Sequence, residues 1–130
     1  MSSQKNIHLL QPGSIDSNTG IMLLDEGKKG VVTFHMASWC GHCQRAKGAY
    51  QTVADQLSHV FTFSAVDHSG ARGDKPSSQE SQIVAALAGK HFGIRGFPTF
   101  TLHIGGVWEK DFTVSDRSVN GIKAALEPFK

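Results

Sequence analysis

The spacing of apolar and polar positions changes several times along the chain, and each change marks a predicted element. Residues 6–10 suit a short strand, and Gln11-Pro12-Gly13-Ser14 reads as a turn. Residues 15–26 favour no element. Val31-Val32-Thr33-Phe34-His35-Met36 is β-branched and apolar on both faces, as a strand covered by helices on either side should be. Ala46, Ala49, Tyr50, Val53 and Leu57 then recur at helical spacing, which predicts a helix opening at Cys40 and ending near Leu57. Residues 60–66 form a second strand pattern, so the first half holds a β-α-β unit with a right-handed crossover and a parallel strand pair. Residues 67–79, rich in Gly, Ser and charge, read as a surface loop, with the passive excursion and the partner-docking role of its 68–79 stretch both open. Ser77-Ser78-Gln79-Glu80 has capping-box spacing ahead of Ile83, Val84 and Leu87, predicting a helix to about His91. Strands over 99–104 and 107–112 flank Gly105-Gly106, a dipeptide suited to the positive φ angles of a two-residue hairpin. Ser115 or Asp116 is placed to cap a last helix carrying Val119, Ile122, Ala125 and Leu126 on one face and stopping before Pro128.

With no repeat or linker in 130 residues, this order predicts a single α/β domain over 1–130, acting as a monomer. No apolar run approaches the roughly 18 residues of a membrane-spanning helix. The net charge is +2 and the basic residues are scattered, so neither nucleic acid nor a membrane is an expected partner. The polar opening, Met1-Ser2-Ser3-Gln4-Lys5-Asn6, leads only to a brief apolar stretch, which predicts a cytoplasmic protein without a secretory signal.

The chemistry concentrates in Trp39-Cys40-Gly41-His42-Cys43, between the first long strand and its helix. The spacing lets the two sulfurs meet within one helical turn. The unpaired N–H groups and macrodipole at a helix N-terminus favour negative charge on Cys40, the attacking sulfur, while Cys43, one turn inside, can attack a mixed disulfide from within. Attack rate gains little from a lower thiol pKa, because intrinsic nucleophilicity falls as ionisation rises. Redox poise gains more: each pKa unit stabilises the reduced form by ~1.4 kcal/mol, or ~30 mV for a two-electron couple. An imidazole at His42 can donate to the Cys40 thiolate, which pushes the pair toward oxidising behaviour. Two alternatives stand beside this reading. One is half of a zinc site completed by His35, His68 or His91, and the other is an inert structural disulfide.

Residues 39–43, together with Ala37, Tyr50, Val66-Asp67 and Gly93-Ile94-Arg95-Gly96-Phe97-Pro98-Thr99, resemble the thioredoxin superfamily, and the motif is similar to the CGHC active site of protein disulfide isomerase catalytic domains. The resemblance spans roughly residues 6–127. It implies a thioredoxin fold, a central mixed β-sheet with helices on both faces, and a thiol–disulfide oxidoreductase that needs no cofactor or metal. It implies protein substrates carrying thiols or disulfides, and a partner reductase or oxidase. It also implies a cis Pro98 facing the cysteines, with Phe97 pairing to substrate by backbone and Trp39 and Gly41 completing the contact surface. Arg117 sits about where the isomerase type places an Arg that lowers the pKa of the resolving Cys.

Three departures from that pattern stand out. Phe34 replaces the buried acid six residues before the first Cys, and Ala65 replaces the acid's Lys partner, so both halves of a buried charge pair are absent together. Deprotonation of Cys43 then falls to water, Arg117, or a His such as His35 if it points inward. Gly48 stands where a helix-kinking Pro is common, and the 68–79 loop is long. A thioredoxin-like reductant and a non-catalytic redox-responsive binding module remain as the other readings. A cytoplasmic setting, which keeps thiols reduced, fits an oxidising pair poorly.

Overall fold

Alternation along the strands sorts the side chains onto two layers. In the computed structural model, which describes residues 5–69 and 78–130, five strands form one mixed sheet. They are β1 (Ile7–Leu9), β2 (Val31–Met36), β3 (Thr62–Asp67), β4 (Thr99–Ile104) and β5 (Val107–Trp108), in spatial order β1-β3-β2-β4-β5. β3 runs parallel to β1 and β2, whereas β4 runs antiparallel to β2 and β5. Helices α1 (Gly41–Leu57) and α3 (Val119–Leu126) cover one face, and α2 (Gln79–His91) covers the other. This is the thioredoxin fold predicted above. Among the described residues no helix is long and apolar enough to cross a membrane.

On the α1 face, Val32, Phe34 and Met36 alternate inward and meet Phe63, Ala65, Phe100 and Leu102 from the flanking strands. Phe34 is opposite Ala65 and Phe100, and its ring lies 5.0 Å from Tyr50 and 5.2 Å from Phe100. An aromatic cluster thus fills the place of the missing charge pair, and each such buried side chain contributes about 1.5–3 kcal/mol. The α2 face is different. Beside Val31 and Val66, it carries buried Thr33, His35, Ser64, Thr101 and His103 under Val84, Ala88 and Phe92. Such a polar layer is stable only where its members find partners.

Several boundaries differ from the sequence expectation. The residue 107–112 strand stops at Trp108: the chain turns at Glu109, whose carbonyl accepts Phe112 N–H, and Phe112 swings into the core against Phe129. The last helix is capped by Ser118, not Ser115 or Asp116. Ser118 Oγ accepts Gly121 N–H at 3.1 Å, while the Asp116 carboxylate accepts the Ser118 amide. At α2 the cap is Ser78, whose Oγ accepts Ser81 N–H at 3.0 Å; Ser77, which the expected capping box used, lies outside the described residues. Residues 67–69 are not surface loop but buried, Asp67 as the last residue of β3 opposite Met36. The rest of that expected loop, 70–77, is outside the described residues. Gly105 and Gly106 adopt φ of 59° and 84°, as the hairpin requires.

Candidate active site

Beyond β2 the chain turns tightly, with Cys40 N–H donating to Ala37 O at 3.1 Å, and α1 starts at Gly41 with Cys40 as its N-cap. A cap residue presents its side chain to the orphan amides of the first turn. Here the capping atom is a sulfur: Cys43 N–H donates to Cys40 Sγ at 3.1 Å. Both cysteines are free thiols, Cys40 only 7% exposed and Cys43 fully buried. Burial, reinforced by the Cys40 sulfur, pushes the Cys43 thiol up to about 12, opposed by a backbone hydrogen bond at Ala37 and by the charge of Arg117. One sulfur keeps a small exposed area at the helix cap, and the other, wholly buried, is held protonated.

His42 is exposed, and its Nδ1 accepts from Arg45 Nη2 at 2.7 Å, which places the ring proton on Nε2. The expected donation from His42 to Cys40 is not made here. Residues three apart on a helix surface are neighbours, so the imidazole meets Arg45, while the Cys43 amide occupies the sulfur. His35 does not reach Cys43 either. It points to the α2 face, with Nδ1 3.0 Å from His68 Nε2 and Nε2 2.9 Å from Thr101 Oγ1. Arg117 is exposed, and its charge weakly opposes the upward push that burial gives the Cys43 thiol.

Phe97 and Pro98 precede β4; their peptide bond is cis, Pro98 is buried and Phe97 half-buried. The Phe97 ring meets Trp39 edge-on at 5.7 Å, so the proline bend lies against the cysteine motif, in which Gly41 is exposed. Two contributors, Asp67 and Ser69, lie in the stretch expected as loop. Trp39 Nε1 donates to Ser69 O at 3.1 Å, Ser38 N–H donates to Ser69 Oγ at 2.9 Å, and the Asp67 carboxylate accepts both the Ser69 amide and, in a very short bond, its hydroxyl. Only their place just past a strand that ends beside the motif could have hinted at this. Among the described residues no cluster of three or more His, Cys, Asp or Glu is arranged to hold a metal ion, so His35, His68 and His91 do not complete a site with the cysteines.

The thioredoxin family model matches residues 19–127. The chain belongs to the thioredoxin family. This thioredoxin-family chain is 30% identical over 104 residues to a protein disulfide-isomerase like 2-2 of Arabidopsis thaliana, covering 75% of this chain but 20% of the plant protein. It is 25% identical to the thioredoxin-like protein 453L of Invertebrate iridescent virus 6, over 92% of this chain and 91% of the viral one. Among solved structures, the first thioredoxin domain of mouse protein disulfide-isomerase A4 superposes with a TM-score of 0.65 at 22% identity, over 99% of this chain and 79% of that one. The chain thus spans about a fifth of the plant relative's length and nearly all of the viral relative's.

Proposed function

We propose that this thioredoxin-family chain is a thiol–disulfide oxidoreductase of the disulfide isomerase type, acting on protein substrates. The observation that carries the reading is the sulfur at the N-cap of α1, bonded by the Cys43 amide, in a motif whose Trp39 meets the Phe97 ring beside the cis Pro98. In the reducing direction the Cys40 thiolate attacks a substrate disulfide. The substrate S–S bond breaks, a Cys40–substrate disulfide forms, and the first substrate sulfur leaves as a thiolate that takes a proton from water. Cys43 then gives up its proton and attacks Cys40 Sγ, releasing the second substrate sulfur. Two electrons pass to the substrate and the Cys40–Cys43 disulfide remains; oxidation of a dithiol is the reverse, and a partner reductase or oxidase resets the pair.

Extended substrate backbone would lie in a groove between the Phe97-Pro98 bend and the cysteine motif, pairing beside Phe97 in the manner of an added strand with Trp39 and Gly41 at its lip. Insulin-disulfide reduction, followed by equilibration of the Cys40–Cys43 pair against glutathione, tests the reading. Activity with a potential near ~−180 mV supports the isomerase-type oxidant, and one near ~−270 mV the reductant, a gap of about 4 kcal/mol. Inactivity toward both insulin and scrambled ribonuclease would leave the redox-responsive binding module, which the aromatic cluster around Phe34 favours because it supplies no proton relay.

Arg117→Gln removes the cation that eases ionisation of Cys43. Release of substrate from the mixed disulfide is expected to slow about two- to fivefold, modestly because an exposed charge is screened. Rapid acid quench of single-turnover reactions measures it, and an unchanged release rate leaves Arg117 a surface cation.

A further inference from the structure

His68 directly follows β3 and is 5% exposed, in a stretch whose composition suggests surface. Its ring lies 4.9 Å from that of Phe97, and its Nε2 bonds His35, which in turn bonds Thr101. The chain of contacts therefore runs from the groove wall across β2 to β4, and returns along the backbone from Thr101 to Phe97 four residues earlier. Its neighbour Ser69 is committed to the other wall, holding Ser38 and the Trp39 indole. Residues 67–69 thus touch both Phe97 and Trp39, the two sides of the proposed groove.

Stability does not account for the histidines. Burying two imidazoles is unfavourable: desolvation holds His35 well below the usual histidine range and brings His68 down to about 4. A Leu at either place would fill space without that penalty. What an imidazole adds is direction, because a satisfied buried hydrogen bond fixes the ring plane in a way that apolar contact does not. The plane fixed here is the one on which Phe97 rests.

We propose that His68, tethered through His35 to Thr101, is a positioning residue that holds the Phe97 wall of the groove and so sets substrate affinity rather than sulfur chemistry. The proposal rests on the oxidoreductase reading above. It is tested by steady-state reduction of a fluorescence-quenched peptide disulfide, with iodoacetamide alkylation of Cys40 as a reaction that needs no groove. His68→Gln keeps a polar partner for His35 but no ring for Phe97. KM should rise about tenfold, with kcat and the alkylation rate within about twofold of the wild type. His68→Phe restores a ring but not the bond to His35, so it should recover only part of that loss. Thr101→Val, nearly isosteric, should raise KM about threefold in the same pattern even if His68→Gln fails to fold. An unchanged KM in His68→Gln or in Thr101→Val overturns the role. So does a parallel fall in kcat and alkylation rate, the mark of general loosening. A wild-type protein that reduces no disulfide would overturn the functional reading and this role with it, and would be evident before any variant is compared.

Discussion

Cys43→Ser is expected to lengthen the life of the mixed disulfide with substrate about 10⁴-fold in millimolar external thiol, whereas Cys40→Ser should form no such adduct. The sign follows from the small difference in exposure: Cys40, 7% exposed at the helix cap, should meet visiting disulfides, and Cys43, with no exposed surface, should release them from within. The magnitude follows from two opposed effects. A neighbouring group held at ~10⁵ M effective concentration outcompetes ~1 mM external thiol by ~10⁸. With its thiol pushed up to about 12, Cys43 is ionised at neutral pH to only ~10⁻⁵, against ~3% for an ordinary thiol, which removes about 3.5 powers of ten. Proximity still wins. Part of that upward push comes from the Cys40 sulfur itself and falls away once Cys40 is bonded to substrate, so the net advantage is a lower bound. Mass spectrometry of the protein after mixing with a disulfide-linked peptide, without reductant, checks it. A persistent adduct on Cys40→Ser, and none on Cys43→Ser, would reverse the roles.

What the sequence disclosed was local. β2, the helix opened by the motif, β3 and the Gly105-Gly106 hairpin each carry their signal within a few residues, and the cysteine pair stands at their junction. What it withheld was decided by partners far along the chain. His68 and Ser69 sit in a polar run that composition assigns to solvent, yet His35, Phe97, Ser38 and Trp39 enclose them. β2 reads as apolar on both faces, but its Thr33 and His35 join Ser64, Thr101 and His103 in one polar layer. Polar residues at alternate positions of three separate segments were the available sign, and it becomes a sign only once the strands are placed side by side. The cap of α3 was misplaced because three capping residues fall within four positions; Asp116 binds the Ser118 amide and leaves Ser118 to cap.

That polar layer should make the fold acid-sensitive well above the pH at which carboxylates act. Burial lowers His68 and His103 from 6.5 to about 4, and holds His35 well below 6.5 with help from the charges of His68 and His103. For a histidine with a depressed native pKa, stability is complete where both states are neutral, above about 6.5. It is lost as pH falls toward 4, because the unfolded chain takes up protons that the folded one refuses. At ~1.4 kcal/mol per pH unit, each of the two contributes a loss of about 3 kcal/mol by pH 4, and together they approach the 5–15 kcal/mol of a typical domain. The carboxylates Asp16, Asp55 and Asp116 are also lowered, but from 3.8, so their share is lost only below about pH 4. The window from 6.5 to 4.5 belongs to the histidines. His103 separates them, since neither of its ring nitrogens has a hydrogen-bond partner among the described residues and its ring lies 4.4 Å from Phe92. His103→Leu should raise stability at pH 7 by about 1–3 kcal/mol by removing unsatisfied buried polar atoms, and should remove about 3 kcal/mol of the acid loss. Urea unfolding from pH 8 to 4.5 measures both. Wild-type stability that stays level between pH 7 and 5 would mean that these imidazoles take up protons in the folded chain as readily as in the unfolded one, and a buried neutral layer could not allow that.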